Sequence, residues 1–271
     1  MTQTDWITQH PYLAPLADVH AEVTAFTSAL PTANLSVPPW DRYTPEFHAG
    51  VPLLLSSDVE LDIVPAGKTL EALLERLTAI PLPRRVAAES GVLLTQLHRD
   101  PTMSYLGLVS LLNEEPVAVP CSGLFRYLGW AILAHHFQRL LNSFAKWRDD
   151  EKWLRSYCPG CGSPPCMAHL TDTDSGRRRF LSCTFCGTRW CYRRSGCPFC
   201  QNNDDCQLTV LAAEGEHGLR IDTCQVCGGY LKTYAGNGNE TFFLADWTSF
   251  HLDFFAHEHG LKRVAASLYR L

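Results

Sequence analysis

Four Cys-x-x-Cys pairs fall within seventy residues of this chain, at Cys158/Cys161, Cys183/Cys186, Cys197/Cys200 and Cys224/Cys227. Two cysteines three positions apart can direct both sulfurs at one ion when the backbone between them turns tightly. Two such turns supply the four thiolates of a tetrahedral site. Eight cysteines in this arrangement make two sites.

An internal repeat suggests how the pairs divide. Cys158-Pro159-Gly160-Cys161 is echoed by Cys197-Pro198-Phe199-Cys200, and Cys183-Thr184-Phe185-Cys186-Gly187 by Cys224-Gln225-Val226-Cys227-Gly228. The pairs are 21 residues apart in the first copy and 23 in the second. That is slightly beyond the roughly 15 to 20 residues of common four-cysteine zinc spacing, as a longer hairpin inside each unit would require. Turns at Asp174-Ser175-Gly176 and Glu214-Gly215-Glu216-His217-Gly218 each precede a strand-like segment, 179–182 or 219–223. Gly162, Gly187 and Gly228 follow their turns where a positive φ aims backbone N–H groups at the sulfurs. Spacing alone also permits a cross-braced pairing of Cys158/Cys161 with Cys224/Cys227; the repeat favours the sequential one.

A disulfide framework is not expected, because such frameworks belong to small oxidised secreted domains and the chain opens Met1-Thr2-Gln3-Thr4-Asp5-Trp6 without an apolar signal segment. Cys121, Cys166, Cys191 and Cys206 lack partners at this spacing and are expected to behave as small buried hydrophobes. Cys166 and Cys191 nevertheless lie close enough to the first unit to substitute for a ligand.

Composition changes near residue 150. Residues 1–150 carry 16 acidic and 10 basic side chains, residues 151–271 carry 12 and 13, and eleven of the twelve cysteines lie in the second part. The expected organisation is α+β: a helical domain over 1–152, a first four-cysteine module over 153–195, a second over 196–240, and a carboxy-terminal helical segment over 241–271 that packs back on the helical domain. Apolar periodicity predicts helices at 13–30, at 70–80 after a break at Pro65-Ala66-Gly67, at 86–97 and at 103–112. It also predicts one long helix over 123–153 and another over 244–261. His251, Asp253, His257, Glu258 and His259 on the last of these invite a further metal reading. Positions 257 and 259 lie on different helix faces, however, so a solvated face is expected, as for His135 and His136.

Runs such as Val51-Pro52-Leu53-Leu54-Leu55 fall far short of the ~20 apolar residues that span a bilayer. No phosphate loop, Gly-x-Ser-x-Gly elbow or His-Glu-x-x-His occurs, and eight thiolates in two closed shells leave no open coordination position. The chain therefore reads as a non-enzyme with no catalytic residues. Arg177, Arg178, Arg179, Arg189, Arg193 and Arg194 cluster around the first unit; of these, Arg177, Arg178, Arg193 and Arg194 are the candidates for docking an acidic partner. The competing role is to offset the net charge of four thiolates on a divalent ion. A nearly neutral second half argues against nucleic acid.

At these residues the chain resembles the bacterial formate dehydrogenase accessory proteins. The signature runs Tyr157-Cys158-Pro159-Gly160-Cys161-Gly162-Ser163, then Arg179-Phe180-Leu181-Ser182-Cys183 through Cys186, Thr188, Arg189 and Trp190. It continues with Cys197-x-x-Cys200 and closes with Cys224-x-x-Cys227-Gly228-Gly229-Tyr230-Leu231-Lys232. Segments 245–253, Glu258-x-Gly260 and His10-Pro11-Tyr12-Leu13 are similar more loosely. The resemblance implies an all-helical amino-terminal domain and two rubredoxin-like modules, each with iron on four cysteines, zinc being the alternative. It further implies a cytoplasmic maturation factor that binds the catalytic subunit of respiratory formate dehydrogenase. Two other readings stay open: a rubredoxin-like electron carrier and a zinc-ribbon nucleic-acid binder.

Overall fold

Proline sets where the amino-terminal helices begin. Its fixed φ and missing N–H cost nothing at a helix start, where the N–H has no intrahelical acceptor. In this computed structural model, which describes residues 2–33, 35–174, 176–212, 216 and 218–269, α1 spans Gln3–Gln9 and α2 spans Ala14–Ser28, with proline in the first turn of α2. Helices α3 (Trp40–Ala49), α5 (Arg84–Arg99) and α6 (Thr102–Leu112) follow Pro39, Pro83 and Pro101 directly. Helix α4 (Val64–Ala79) carries proline in its first turn, so the Pro65-Ala66-Gly67 segment, expected to be a break, lies inside the helix.

The long helix expected over 123–153 is three: α7 (Ser122–His136), α8 (Gln138–Trp147) and α9 (Asp150–Trp153). The ladder breaks where Arg148 and Asp149 take extended ψ; Asp149 then caps α9 through Glu151 N–H while Arg148 Nε reaches Asp150 Oδ1 at 2.6 Å. His136, expected on a solvated face, is buried with its Nε2 2.7 Å from the Asp62 carbonyl. These helices enclose a core that includes Leu70, Leu73, Leu74, Phe125, Leu128, Leu133, Phe137 and Phe144.

Beyond the helices come β1 (Met167–Thr173), β2 (Gly176–Ser182), β3 (Arg189–Tyr192), β4 (Leu208–Leu211), β5 (Leu219–Cys224) and β6 (Gly229–Tyr234). Then follow α10 (Glu240–Phe243), α11 (Phe250–Glu258) and the short β7 (Lys262–Arg263). The strands form one sheet in the order β3-β2-β1-β6-β5-β4, with β7 on β6. The sequence repeat explains the order. Each unit supplies three antiparallel strands, and parallel pairing of β1 with β6, from Met167↔Lys232 to His169↔Tyr234, fuses the two. Of the two expected turns, Ser175 in the first and Glu214, Gly215 and His217 in the second lie outside the described residues.

The single helix expected over 244–261 is a 3-10 turn, Asp246–Ser249, followed by α11. A buried charge cluster accounts for the change. Lys232 Nζ donates to the carbonyls of Asp246 and Ser249 at 2.9 and 3.3 Å, acceptors that a continuous helix would use in its own ladder. It also meets Asp246 Oδ1 and Asp253 Oδ2 at 2.8 Å each. Arg263 bridges the same carboxylates at 2.7 and 2.6 Å, and Ser267 donates to Asp246 at 2.6 Å. Burial alone would raise the Asp246 pKa, but the Lys232 and Arg263 charges outweigh it and hold it at about 2.

This cluster generates a stability expectation. Asp246→Ala leaves Lys232 buried beside one carboxylate and should destabilise the fold by about 3–5 kcal/mol in urea unfolding. Because the Asp246 pKa is depressed when folded, its contribution is present above pH ~4 and lost as pH falls toward 2. The wild-type advantage over Asp246→Ala should shrink across that window.

Candidate metal centre

The eight cysteines gather as two separate fours, Cys158/Cys161/Cys183/Cys186 and Cys197/Cys200/Cys224/Cys227. Within the first, Cys158 Sγ lies 3.4 Å from Cys186 Sγ and Cys161 Sγ 3.5 Å from Cys183 Sγ. Within the second, the Cys197–Cys227 and Cys200–Cys224 separations are both 3.7 Å. A tetrahedron with sulfurs about 2.3 Å from its centre has edges of about 3.8 Å, so each set is spaced for one ion and is far too open for S–S bonds. All eight are free thiols.

The four turns share one backbone pattern. The carbonyl of the first cysteine accepts an N–H four residues on, from Gly162, Gly187, Gln201 and Gly228, at 2.9 to 3.1 Å. That donor residue sits at φ +87, +75, +60 and +67. Sequence reading found the three glycines and missed Gln201, which carries a side chain where the other turns avoid one. Amide N–H groups of Gly160, Phe199 and Gly229 donate to Cys158, Cys197 and Cys227 sulfurs at 3.3, 3.4 and 3.4 Å. Burial, then the neighbouring sulfurs, holds the Cys183 thiol well above its ordinary pKa, and burial pushes Cys197 up to about 12. Four thiolates this close repel one another, so a cation among them is what would let all four ionise together. An ion of the iron or zinc type fits this all-sulfur donor set.

The two sets sit differently in the molecule. In the first, all four cysteines are buried against the helical core. Leu53 and Leu54 N–H groups donate to the Pro159 and Gly160 carbonyls at 2.9 Å each. Tyr157 Oη donates to the Gly50 carbonyl at 2.8 Å, and Phe185 stacks on Trp130. In the second set Cys200 is exposed and Cys227 partly so.

The remaining sequence candidates disperse. Arg177, Arg178, Arg193 and Arg194 are all exposed. Arg177 pairs with Asp172 at 2.8 Å, Arg178 with Glu151 and the Cys191 sulfur, and Arg193 with the Tyr192 hydroxyl. Register Arg179↔Tyr192 brings the 177–178 and 193–194 pairs to the same end of the sheet. Arg179 is buried, donates to the Gly196 carbonyl at 3.0 Å and lies 3.7 Å from Asp222, tying the two units together. Cys166 is buried beside Thr184, its sulfur hydrogen-bonded at 3.1 Å, and neither it nor Cys191 joins a four-cysteine set. His257 and His259 are exposed, the latter with Nδ1 2.8 Å from the Phe255 carbonyl.

Residues 157–194 match the family described as "FdhE, central domain". The "Protein FdhE homolog" of Aquifex aeolicus (strain VF5) is 34% identical over 138 residues, 49% of this chain and 48% of that protein. The homologue of Stutzerimonas stutzeri (strain A1501) is 30% identical over 159 residues, 56% of this chain and 48% of that one. The aligned region thus spans about half the length of these curated relatives. The crystal structure of the FdhE protein from Pseudomonas aeruginosa shares the fold, with a TM-score of 0.67, 23% identity, 96% of this chain covered and 88% of that chain. With helices ahead of two four-cysteine clusters and a matching central segment that holds all four cysteines of the first cluster, the chain is similar to FdhE proteins.

Proposed function

We propose that this protein is a non-enzymatic accessory factor for formate dehydrogenase maturation, acting in the cytoplasm and binding the enzyme's catalytic subunit through metal-stabilised modules. The observation that carries the reading is the pair of four-sulfur sets within an FdhE-type chain. The eight cysteines would hold one ion per set, iron first and zinc as the alternative. Bound iron on four thiolates would supply a one-electron couple, whereas zinc would supply structure alone. No helix among the described residues is long and apolar enough to cross a membrane. We divide the chain at 152, 195 and 240, with the first module seated on the helical domain.

Arg177, Arg178, Arg193 and Arg194 are the proposed contact to an acidic surface. Their side-chain partners are Asp172, Glu151, Tyr192 and the Cys191 sulfur, none of them a member of the cysteine sets, which favours docking over charge compensation. Changing all four to Ser should leave two ions per chain and the melting temperature nearly unchanged while weakening capture of the catalytic subunit. Wild-type capture should fall with salt as charges are screened over roughly 8–10 Å. Capture equal to wild type would contradict the docking role.

The unequal burial of the sets makes a second expectation. A chelator should remove one ion per chain quickly, and Cys197→Ser should abolish that fast phase while leaving the slow one. Equal release rates would count against the burial argument. Replacing Cys158 and Cys161 by Ser should remove the first ion and, with it, much of the ~10–16 kcal/mol associated with structural metal, unfolding that module. Retained metal with lost partner capture would contradict this. Gln201→Gly removes a left-handed strain of about 1 kcal/mol and should slow release from the second set; faster release would argue that the Gln201 side chain supports the site.

A further inference from the structure

We propose that His10, Glu216 and His251 form a third cation site, for a divalent ion of the zinc class, separate from the cysteine sets. The three residues come from the end of α1, the β4–β5 connection and the first turn of α11, and their ligand atoms all lie within 4.8 Å of one another. His251 Nε2 is 2.8 Å from Glu216 Oε1, and His10 Nε2 is 3.7 Å from the same oxygen.

Three observations favour a shared ion over a simple ion pair. His10 Nδ1 lies 3.1 Å from the Trp6 carbonyl; donation there places the lone pair on Nε2, the arrangement found when a metal-binding histidine is held from behind by a backbone carbonyl. His251 Nε2, although 2.8 Å from Glu216, lies outside hydrogen-bonding geometry. Among the described residues neither of its ring nitrogens has a hydrogen-bond partner, although both are buried. Glu216 Oε2 is likewise buried and without a hydrogen-bond partner among the described residues, an arrangement that is costly for a carboxylate unless a cation completes it.

The surroundings supply no other cation among the described contacts. Trp6 packs on both imidazoles, with ring centroids at 4.1 and 5.7 Å, and the imidazoles stack on each other at 4.8 Å. Two donors at about 2.0–2.2 Å from one ion stand roughly 3–3.5 Å apart, so small side-chain shifts would close the set. Two imidazoles and a carboxylate suit zinc and its neighbours rather than magnesium or calcium. Three protein ligands leave a position for water or an outside ligand. Occupation would also tie α1 to α11.

The test uses the full chain with both cysteine sets filled. Zinc titrated into the wild type should bind as one further saturable equivalent in the micromolar range. His10→Gln with His251→Gln should weaken that equivalent by at least ~100-fold, beyond the ~10–100-fold loss typical of an outer-shell partner, and leave the two thiolate-bound ions in place. Anomalous scattering at the zinc edge from wild-type crystals should place the extra ion between the three side chains, which decides the matter even if the double variant fails to fold. Absence of a third equivalent, its retention in the folded double variant, or an anomalous peak elsewhere would overturn the proposal.

Discussion

Four sulfurs held 3.4 to 3.7 Å from their nearest neighbours, without a bond between them, impose the constraint around which the second half of this chain is arranged. Thiols so placed repel one another once ionised, so each set is stable as a thiolate cluster only around a cation. The backbone of every turn is bent to meet this need: the carbonyl of the first cysteine takes an N–H from a residue in left-handed conformation, and in three of the four turns an amide points at sulfur. The strands then follow from the turns. Each unit leaves its first turn as the opening strand and returns to its second, so two copies give two three-stranded ribbons that join along β1 and β6.

Duplicated units need not be equivalent once they are built into a larger molecule. The first is seated on the helical domain by the backbone bonds of Leu53 and Leu54, the Tyr157 hydroxyl and the stacking of Phe185 on Trp130, which places its sulfurs in the core. The second faces outward at Cys200. Identical donor sets thus have different access to solvent. The first set therefore sits where sheet meets helices, and the second where solvent reaches it. The Lys232–Asp246–Asp253–Arg263 cluster, with Lys232 and Asp246 buried, holds α11 and β7 against β6.

The cysteine sets were legible because their signal is local: a fixed three-residue spacing, repeated, with glycine at three of four turns. Helix positions at 13–30, 86–97 and 103–112 were legible for a similar reason, since apolar periodicity reports one buried face. What escaped sequence reading depends on residues far apart in the chain. Lys232 looks like a surface lysine until Asp246 and Asp253 arrive from another segment, and only then does the 3-10 turn at Asp246–Ser249 make sense. The 123–153 segment has an uninterrupted apolar stripe, yet the local bonds of Arg148 and Asp149 end the helix before Trp153. His10, Glu216 and His251 span more than two hundred positions, so no spacing could announce them.

The similarity to FdhE proteins and the paired sulfur sets underlie the accessory role proposed above, in which metal would hold the recognition surface in shape. The claim beneath that role is that each four-cysteine set binds one ion through sulfur alone. X-ray absorption at the edge of the metal that co-purifies at two ions per chain tests it most directly. The account predicts a single shell of four sulfur scatterers at about 2.3 Å. A shell containing nitrogen or oxygen, or only two sulfurs, would contradict it.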